Sequence, residues 1–238
     1  MPASFRTEGV VLRSIRYGEA DRVLHLYTRD RGRIGAMAKG VRRVKSRFGG
    51  RLEPLFRVEL ILREGRGDLC TVTSVETVDA HRSLRDRRDS LERATQACDA
   101  VLRLLDSQEP NRPAYNLLCR QLQLLDRDPA AATRAQALAF RSKLLLAAGF
   151  APELASCAAC GEREHLSGFS ASAGGVVCSA CEAGSFALDE DSHRFMVDAL
   201  ARPLAEFPTA SERALGQADR ALAETLEHHA HVRLRRVA

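Results

Sequence analysis

The apolar pattern of this chain changes period near His81, and that change decides most of what it can fold into. Before it, apolar residues recur at every second position in short runs. Residues 8–15 carry Val10, Val11, Leu12 and Ile15, and Gly18-Glu19 breaks the run. Residues 23–28 set Leu24, Leu26 and Thr28 opposite Val23, His25 and Tyr27; an Arg31-Gly32 turn and a short run at 34–38 follow. Residues 55–62 alternate through Phe56, Val58, Leu60 and Leu62. A turn is expected at 65–68, and residues 70–78 alternate again. A period of two places successive side chains on opposite faces of a strand. Five short strands with glycine turns in about 80 residues suit a small closed or partly closed barrel. An oligonucleotide-binding barrel has this size and strand number, and so do small barrels of other kinds.

Beyond His81 the period lengthens. Leu84, Leu91, Cys98, Val101, Leu102 and Leu105 fall on one helical face. Residues 117–125 form a second helical run, interrupted by Arg127-Asp128-Pro129, and 133–148 a third, ended by Gly149. Residues 82–149 therefore read as a helical body. Two more helices are expected at 190–204 and 211–230, returning to pack on that body, since neither buries its apolar face alone.

Charge is unevenly placed. Residues 1–80 hold 16 basic and 10 acidic side chains, a net of +6; residues 81–238 hold 20 and 21, a net of −1. Between positions 29 and 51 stand nine basic residues, Arg29, Arg31, Arg33, Lys39, Arg42, Arg43, Lys45, Arg47 and Arg51, against Asp30 alone. Such a run repels itself unless an anion is near, and on a strand-rich surface the nucleic-acid backbone is the natural one. The bland alternative is a solvated loop over 40–50. Candidate aromatics for base stacking are Tyr17, Tyr27, Phe48 and Phe56. Phe56 shares the parity of Val58 and is expected inside. Tyr27 lies opposite Leu24 and Leu26 and is expected at the surface, and Phe48, between Arg47 and Gly49, is expected to be the most exposed. The DNA-binding set expected on these grounds is Arg31, Arg33, Lys39, Arg42, Arg43, Lys45, Arg47, Arg51, Tyr27 and Phe48.

Cys157-x-x-Cys160, seventeen residues, then Cys178-x-x-Cys181 has the spacing of a two-knuckle tetrathiolate. A two-residue gap lets a tight turn aim both sulfurs at one ion. Four soft thiolates select Zn2+ over Mg2+ or Ca2+; an iron–sulfur cluster takes the same ligands. One structural zinc is expected, because a complete thiolate shell leaves no position for an activated water. His165 lies within the insert and is expected to stay outside the shell. Seven cysteines, four of them so paired, argue for a reducing compartment. Cys70, Cys98 and Cys119 sit at periodic positions and read as packing residues.

Catalytic signatures are missing from the sequence: it has no phosphate-binding GxxxxGK[ST] loop, no GxGxxG, no HExxH and no nucleophile elbow. His228-His229-x-His231 reads as a solvated helix end. Asp189-Glu190-Asp191 stands where a helix begins, where carboxylates suit free backbone donors. No window reaches 18 uninterrupted apolar residues, so no membrane span is expected, and Met1-Pro-Ala-Ser-Phe-Arg lacks the apolar core of a signal peptide. The chain does not read as an enzyme.

Tyr17-Gly-Glu-Ala-Asp-Arg-Val-Leu, Leu26-Tyr-Thr-Arg-Asp-Arg-Gly-Arg, Ala38-Lys-Gly-Val-Arg-Arg and Leu52-Glu-Pro-Leu-Phe together resemble the N-terminal domain of the bacterial RecO family of recombination mediators. The tetracysteine insert before the last helices is similar to that of its zinc-bearing members. The resemblance implies a multidomain α+β chain, with an N-terminal five-stranded OB-fold barrel and a helical C-terminal domain carrying an inserted four-cysteine zinc finger. The domains expected are the barrel at 1–80, helices at 81–150, the zinc module at 151–187 and completing helices at 188–238. It implies binding of single- and double-stranded DNA, annealing of complementary strands, association with RecR, and help in loading RecA on SSB-coated strands, without nucleotide. Some members also bind the SSB C-terminal tail. The matching glycine and basic positions here are Arg33, Lys39, Gly40, Arg42 and Arg43. The setting implied is the bacterial cytoplasm, at the nucleoid. Two other classes stay open on the residues alone: a protein–protein adaptor with a zinc finger, and a metal-dependent nuclease.

Overall fold

Five strands close the N-terminal barrel: β1 (Ser4–Tyr17), β2 (Asp21–Thr28), β3 (Gly32–Ala38), β4 (Arg57–Arg63) and β5 (Leu69–Asp79). The computed structural model describes residues 3–65 and 67–237. Met1 and Pro2 of the N-terminal hexapeptide, and Arg66 in the turn expected at 65–68, lie outside the described residues. Around the barrel the neighbours run β1-β2-β3-β5-β4, and β4 closes on β1. All pairings are antiparallel except β3 with β5. This is an OB-like barrel.

The alternating sequence explains the closure. In β3 buried and half-buried residues alternate along the whole strand, and the buried set (Ile34, Ala36, Ala38) meets Leu24, Leu26, Val58, Leu60, Leu62 and Val72 inside. β1 is longer than the expected 8–15 because it serves two partners. Its first half pairs with β4 and its second with β2, and a register shift between Val11 and Arg13 bends it from one to the other.

Two helices belong with the barrel. α1 (Arg88–Leu104) packs on β1 and β2 and against α2 (Arg112–Arg127). α2 starts where the Asn111 side chain accepts from Ala114 N at 3.0 Å, with Pro113 in its first turn. Buried Tyr115 on α2 donates its hydroxyl to Glu8 Oε1 on β1 at 2.9 Å, and Glu8 also takes the Arg57 guanidinium of β4. This polar pin is satisfied on every side, so it costs little to bury and fixes the helix on the barrel.

The packing divides the chain into residues Met1–Pro129 and Ala130–Ala238. The second unit contains α3 (Arg134–Ala148), the cysteine segment with β6 (Leu166–Ser170), β7 (Gly175–Cys178) and β8 (Phe186–Ala187), then α4 (Glu190–Ala201) and α5 (Glu212–Thr225). Its three helices pack on one another. Thr133, Asp189 and Ser211 cap them through their side chains, as their positions before each apolar run suggest. Between α3 and α5, Arg141 and Asp219 form a buried ion pair at 2.9 Å, with Arg141 also donating to Arg235 O. Breaking one partner of such a pair strands the other's charge. Among the described residues no helix is long and apolar enough to cross a membrane.

Candidate nucleic-acid surface and metal centre

The connection from β3 to β4 is a series of turns over residues 39–56. Its root is tied down. Gly40 N donates to Asp21 Oδ1 at 2.7 Å, and Arg42 N donates to Ala20 O at 2.9 Å. Gly40 has a φ of +67°, a left-handed conformation that a side chain would strain. The connection therefore leaves β3 sharply and lies against the β1–β2 turn.

Lys39, Arg42, Arg43, Lys45, Arg47 and Arg51 are all exposed here, and none forms an ion pair with a described carboxylate. Their side-chain contacts are to carbonyls and a ring: Arg42 to Gly18 O, Arg47 to Val72 O and over the Phe48 ring, Arg51 to Arg47 O and Phe48 O. The barrel wall treats arginine differently. Arg6 pairs with Glu59, Arg22 with Glu53 and Arg57 with Glu8. Arg31 belongs with the wall, since it holds Glu64 at 3.1 Å and covers the Phe5 ring at 3.8 Å. Half-buried Arg33 donates to Leu102 O at 3.1 Å. Of the eight basic residues expected to bind DNA, six stand together uncompensated and two are engaged elsewhere.

Both aromatics expected at the surface are inside. Tyr27 and Phe48 are each 1% exposed. Alternation did put Tyr27 on the outer face of β2, but that end of the face is covered. Its cross-strand partner is Arg33, and the end of α1 and the segment after it lie against Arg33 through Leu102 O and Ser107 O. Burial pushes the Tyr27 phenol up to about 12. Phe48 points into the barrel with Leu52, four residues on, and Val41 packs against the same cluster. Spacings of four and seven between apolar residues in a polar loop were the signal of a turn-built plug. Phe56 is half-buried against that cluster and Tyr17 is 59% exposed.

A cleft of about 330 Å³ opens beside β2 and β3, lined by Arg13, His25, Arg33, Gly35, Leu69 and Leu102 among others. Arg13 and His25 escaped the sequence reading because they lie outside the basic run. Only strand register brings them together.

In the second unit the chain before the first knuckle is zipped to β7. Val176 N donates to Glu153 O and Ala158 N to Val176 O, which brings Cys157 and Cys160 alongside Cys178. Each knuckle is closed by backbone: Gly161 N to Cys157 O at 2.8 Å and Cys181 N to Cys178 O at 2.9 Å. Gly161 turns with a φ of +82°. The four sulfurs all lie within 4.8 Å of one another, and Cys160 Sγ is 3.7 Å from Cys178 Sγ. A tetrahedral shell with metal–sulfur bonds of about 2.3 Å separates its sulfurs by about 3.8 Å, so the four thiols fit one metal ion. Hydrogen bonding from the backbone of Cys178, and of Cys160 and Ala159, lowers the Cys157 thiol to about 6, toward the thiolate form that binds metal. His165 is exposed and outside the cluster. His229 bonds Ala171 O through Nε2. Buried Cys98 has its thiol pushed up to about 12 by desolvation, as a packing residue should.

Two family models match the chain, the N-terminal domain of recombination protein O over residues 1–81 and its C-terminal domain over residues 89–237. A DNA repair protein RecO from Rubrobacter xylanophilus is 40% identical over 222 residues, 91% of this chain and 88% of that protein. The DNA repair protein RecO of Anaeromyxobacter sp. is 34% identical over 242 residues, covering 96% and 92%, and that of Bifidobacterium animalis subsp. lactis 41% over 181 residues, covering 74% and 73%.

Proposed function

The chain belongs to the recombination protein O family, and from that premise we propose that it is a DNA-binding recombination mediator in DNA repair, which anneals complementary strands and acts with RecR to help load RecA on SSB-coated single strands. The observation that carries this reading is the group of six exposed cations at 39–51 with no paired carboxylate. Two single strands repel through their phosphates. A surface whose positive charge is not already neutralised lowers that repulsion and raises local strand concentration, and base pairing supplies the free energy. No bond of the DNA backbone changes, so the activity requires no catalytic group. Arginine, four of the six, holds phosphate oxygens in bidentate fashion and keeps its charge throughout the physiological pH range.

One Zn2+ held by Cys157, Cys160, Cys178 and Cys181 suits the all-thiolate donor set. Bound there it supplies a structural cross-link. The closed shell leaves no coordination position for water. RecR is the expected protein partner and the SSB tail a further one, at the nucleoid of the bacterial cytoplasm; the family resemblance supports these assignments.

The deciding experiment is annealing of complementary oligonucleotides by the full chain, with and without SSB and without ATP. Acceleration that persists on SSB-coated strands is the expected result. No acceleration in either condition sinks the proposal, and strand cleavage with added Mg2+ or Mn2+ would favour a nuclease instead.

A further inference from the structure

Among the described residues four other than glycine adopt a left-handed backbone, and two of them are bonded to each other. Leu55 has a φ of +73° and His81 a φ of +40°. A bulky side chain in this region is strained and persists only where its surroundings hold it. Leu55 stands two residues before β4, at the end of the 39–56 connection. His81 stands two residues after β5, where the barrel gives way to the helices.

Several bonds converge on this point. Leu55 N donates to Val11 O at 2.8 Å, and the His81 ring meets Leu55 O through Nδ1 at 2.8 Å. A carbonyl only accepts, so Nδ1 carries the hydrogen. His81 N donates in turn to Asp79 Oδ1 at 3.0 Å. His81 is 2% exposed and Leu55 4%, so loss of the ring would strand a buried carbonyl. Arg85, in the short helical turn Arg82–Asp86, donates to Pro54 O at 3.0 Å and covers the Phe56 ring at 5.1 Å. Residues 54–56 are thus held from the segment that leads into α1 as well as from β1.

The connection that ends here carries the six uncompensated cations. Its start is held through Gly40 N by Asp21, and its middle by Phe48 and Leu52 inside the barrel. We propose that His81 is a positioning residue for DNA binding: its bond to Leu55 O holds the end of the connection in its strained turn and keeps Arg47 and Arg51 in array with the other four cations. The inference rests on the reading that this connection binds DNA. Buried His81 acts through the loop and touches no phosphate itself. Phosphates along a strand stand at fixed spacing, and a loop already fixed to match them loses less freedom on binding.

The test titrates the full chain with a duplex oligonucleotide at several salt concentrations, below the melting temperature of every variant. His81→Gly keeps the left-handed backbone without strain and removes the ring. It should weaken binding about tenfold at about 0.1 M salt and reduce the slope of log K against log salt by about 0.9, the worth of one phosphate contact. His81→Asn should bind as the wild type does, since asparagine tolerates this backbone and offers an amide donor close to the place of Nδ1. In a chain that also carries Arg47→Ala and Arg51→Ala, His81→Gly should cost no further affinity. Unaltered affinity and slope in His81→Gly, equal weakening in His81→Asn, or the same loss in the double-alanine chain overturns the inference. If His81→Gly does not fold, nitrogen NMR of the wild-type ring decides. A hydrogen on His81 Nδ1, assigned by its absence from His81→Asn, should exchange with water more slowly once duplex is bound, because a bond that favours binding is favoured by it. An Nδ1 without hydrogen, or exchange unchanged at saturation, overturns the inference. Failure of the wild type to bind the duplex overturns the DNA reading itself.

Discussion

Thirteen buried side chains, from Val11 to Val75, fill the barrel cluster. The cluster around the thiols has three, Cys157, Val177 and Cys178, and two of those are cysteines of the four-sulfur group itself. The barrel is held by area removed from water, at about 1.5–3 kcal/mol for each large aliphatic side chain fully buried. The cysteine segment has short strands and tight turns, and around the sulfurs little apolar mass, so an ion held by those sulfurs would carry much of its local order. The two regions also announce themselves differently in sequence. One shows as a period spread over eighty positions, the other as four residues at fixed spacing.

The largest expected effect breaks this comparison or confirms it. Stripping the metal with a chelator, or replacing Cys157 and Cys178 by serine together, should expose the amides of Ala158, Val176 and Ser179 to hydrogen exchange while those of β2 and β3 stay protected. Simultaneous loss of protection in both regions would show that the barrel depends on the metal. Next in size, Leu60→Ala should cost about 2–5 kcal/mol in denaturant unfolding, equally with and without metal; a cost below about 1 kcal/mol would mean that the barrel interior collapses around the gap.

A second contrast, between wall arginines and loop arginines, is sharpened by smaller effects. Replacing Arg42, Arg43 and Lys45 by alanine should lower DNA affinity and reduce the slope of log K against log salt by up to about 0.9 per lost duplex phosphate contact, with the melting temperature unchanged. An unaltered affinity and slope would remove the loop from the interface. Arg31→Ala should flatten the slope less than a loop substitution does, because Arg31 is engaged with Glu64; an equal effect would erase the distinction between wall and loop. Smallest of all, Arg6→Ala should leave the melting temperature where it is, since its pair with Glu59 is solvent-exposed. A clear drop would mean that the wall pairs hold the barrel together.

Strand content, helix positions and the sulfur cluster were all legible, because each rests on local spacing. Gly149 ends α3, and Asp189 begins α4 by accepting from Ser192 N, where the sequence places them. What escaped was contact between distant positions. Alternation said which face of β2 carries Tyr27 but not that α1 and the segment after it cover that end of the face. The loop composition suggested an exposed Phe48, yet a turn-built connection obeys a period of about four, and Phe48 and Leu52 follow it inward. Arg31 and Arg33 looked equivalent to Arg42 until Glu64 and Leu102, 33 and 69 residues away, took their donors. The period change at His81 marks the switch from strand to helix. The packing division comes later, after Pro129, because α1 and α2 are fastened to the barrel.

Phe48 and Leu52 have a mechanical consequence. Arg47 and Arg51 each precede one of these two buried residues in the chain. Tension on a captured strand therefore passes through one peptide link into the barrel interior, not into a slack tether. A plug seated among Leu24, Leu60 and Val72 resists being drawn out, so the loop should behave under load as a rigid cleat, letting go of DNA by breaking contacts to phosphate before its own backbone extends.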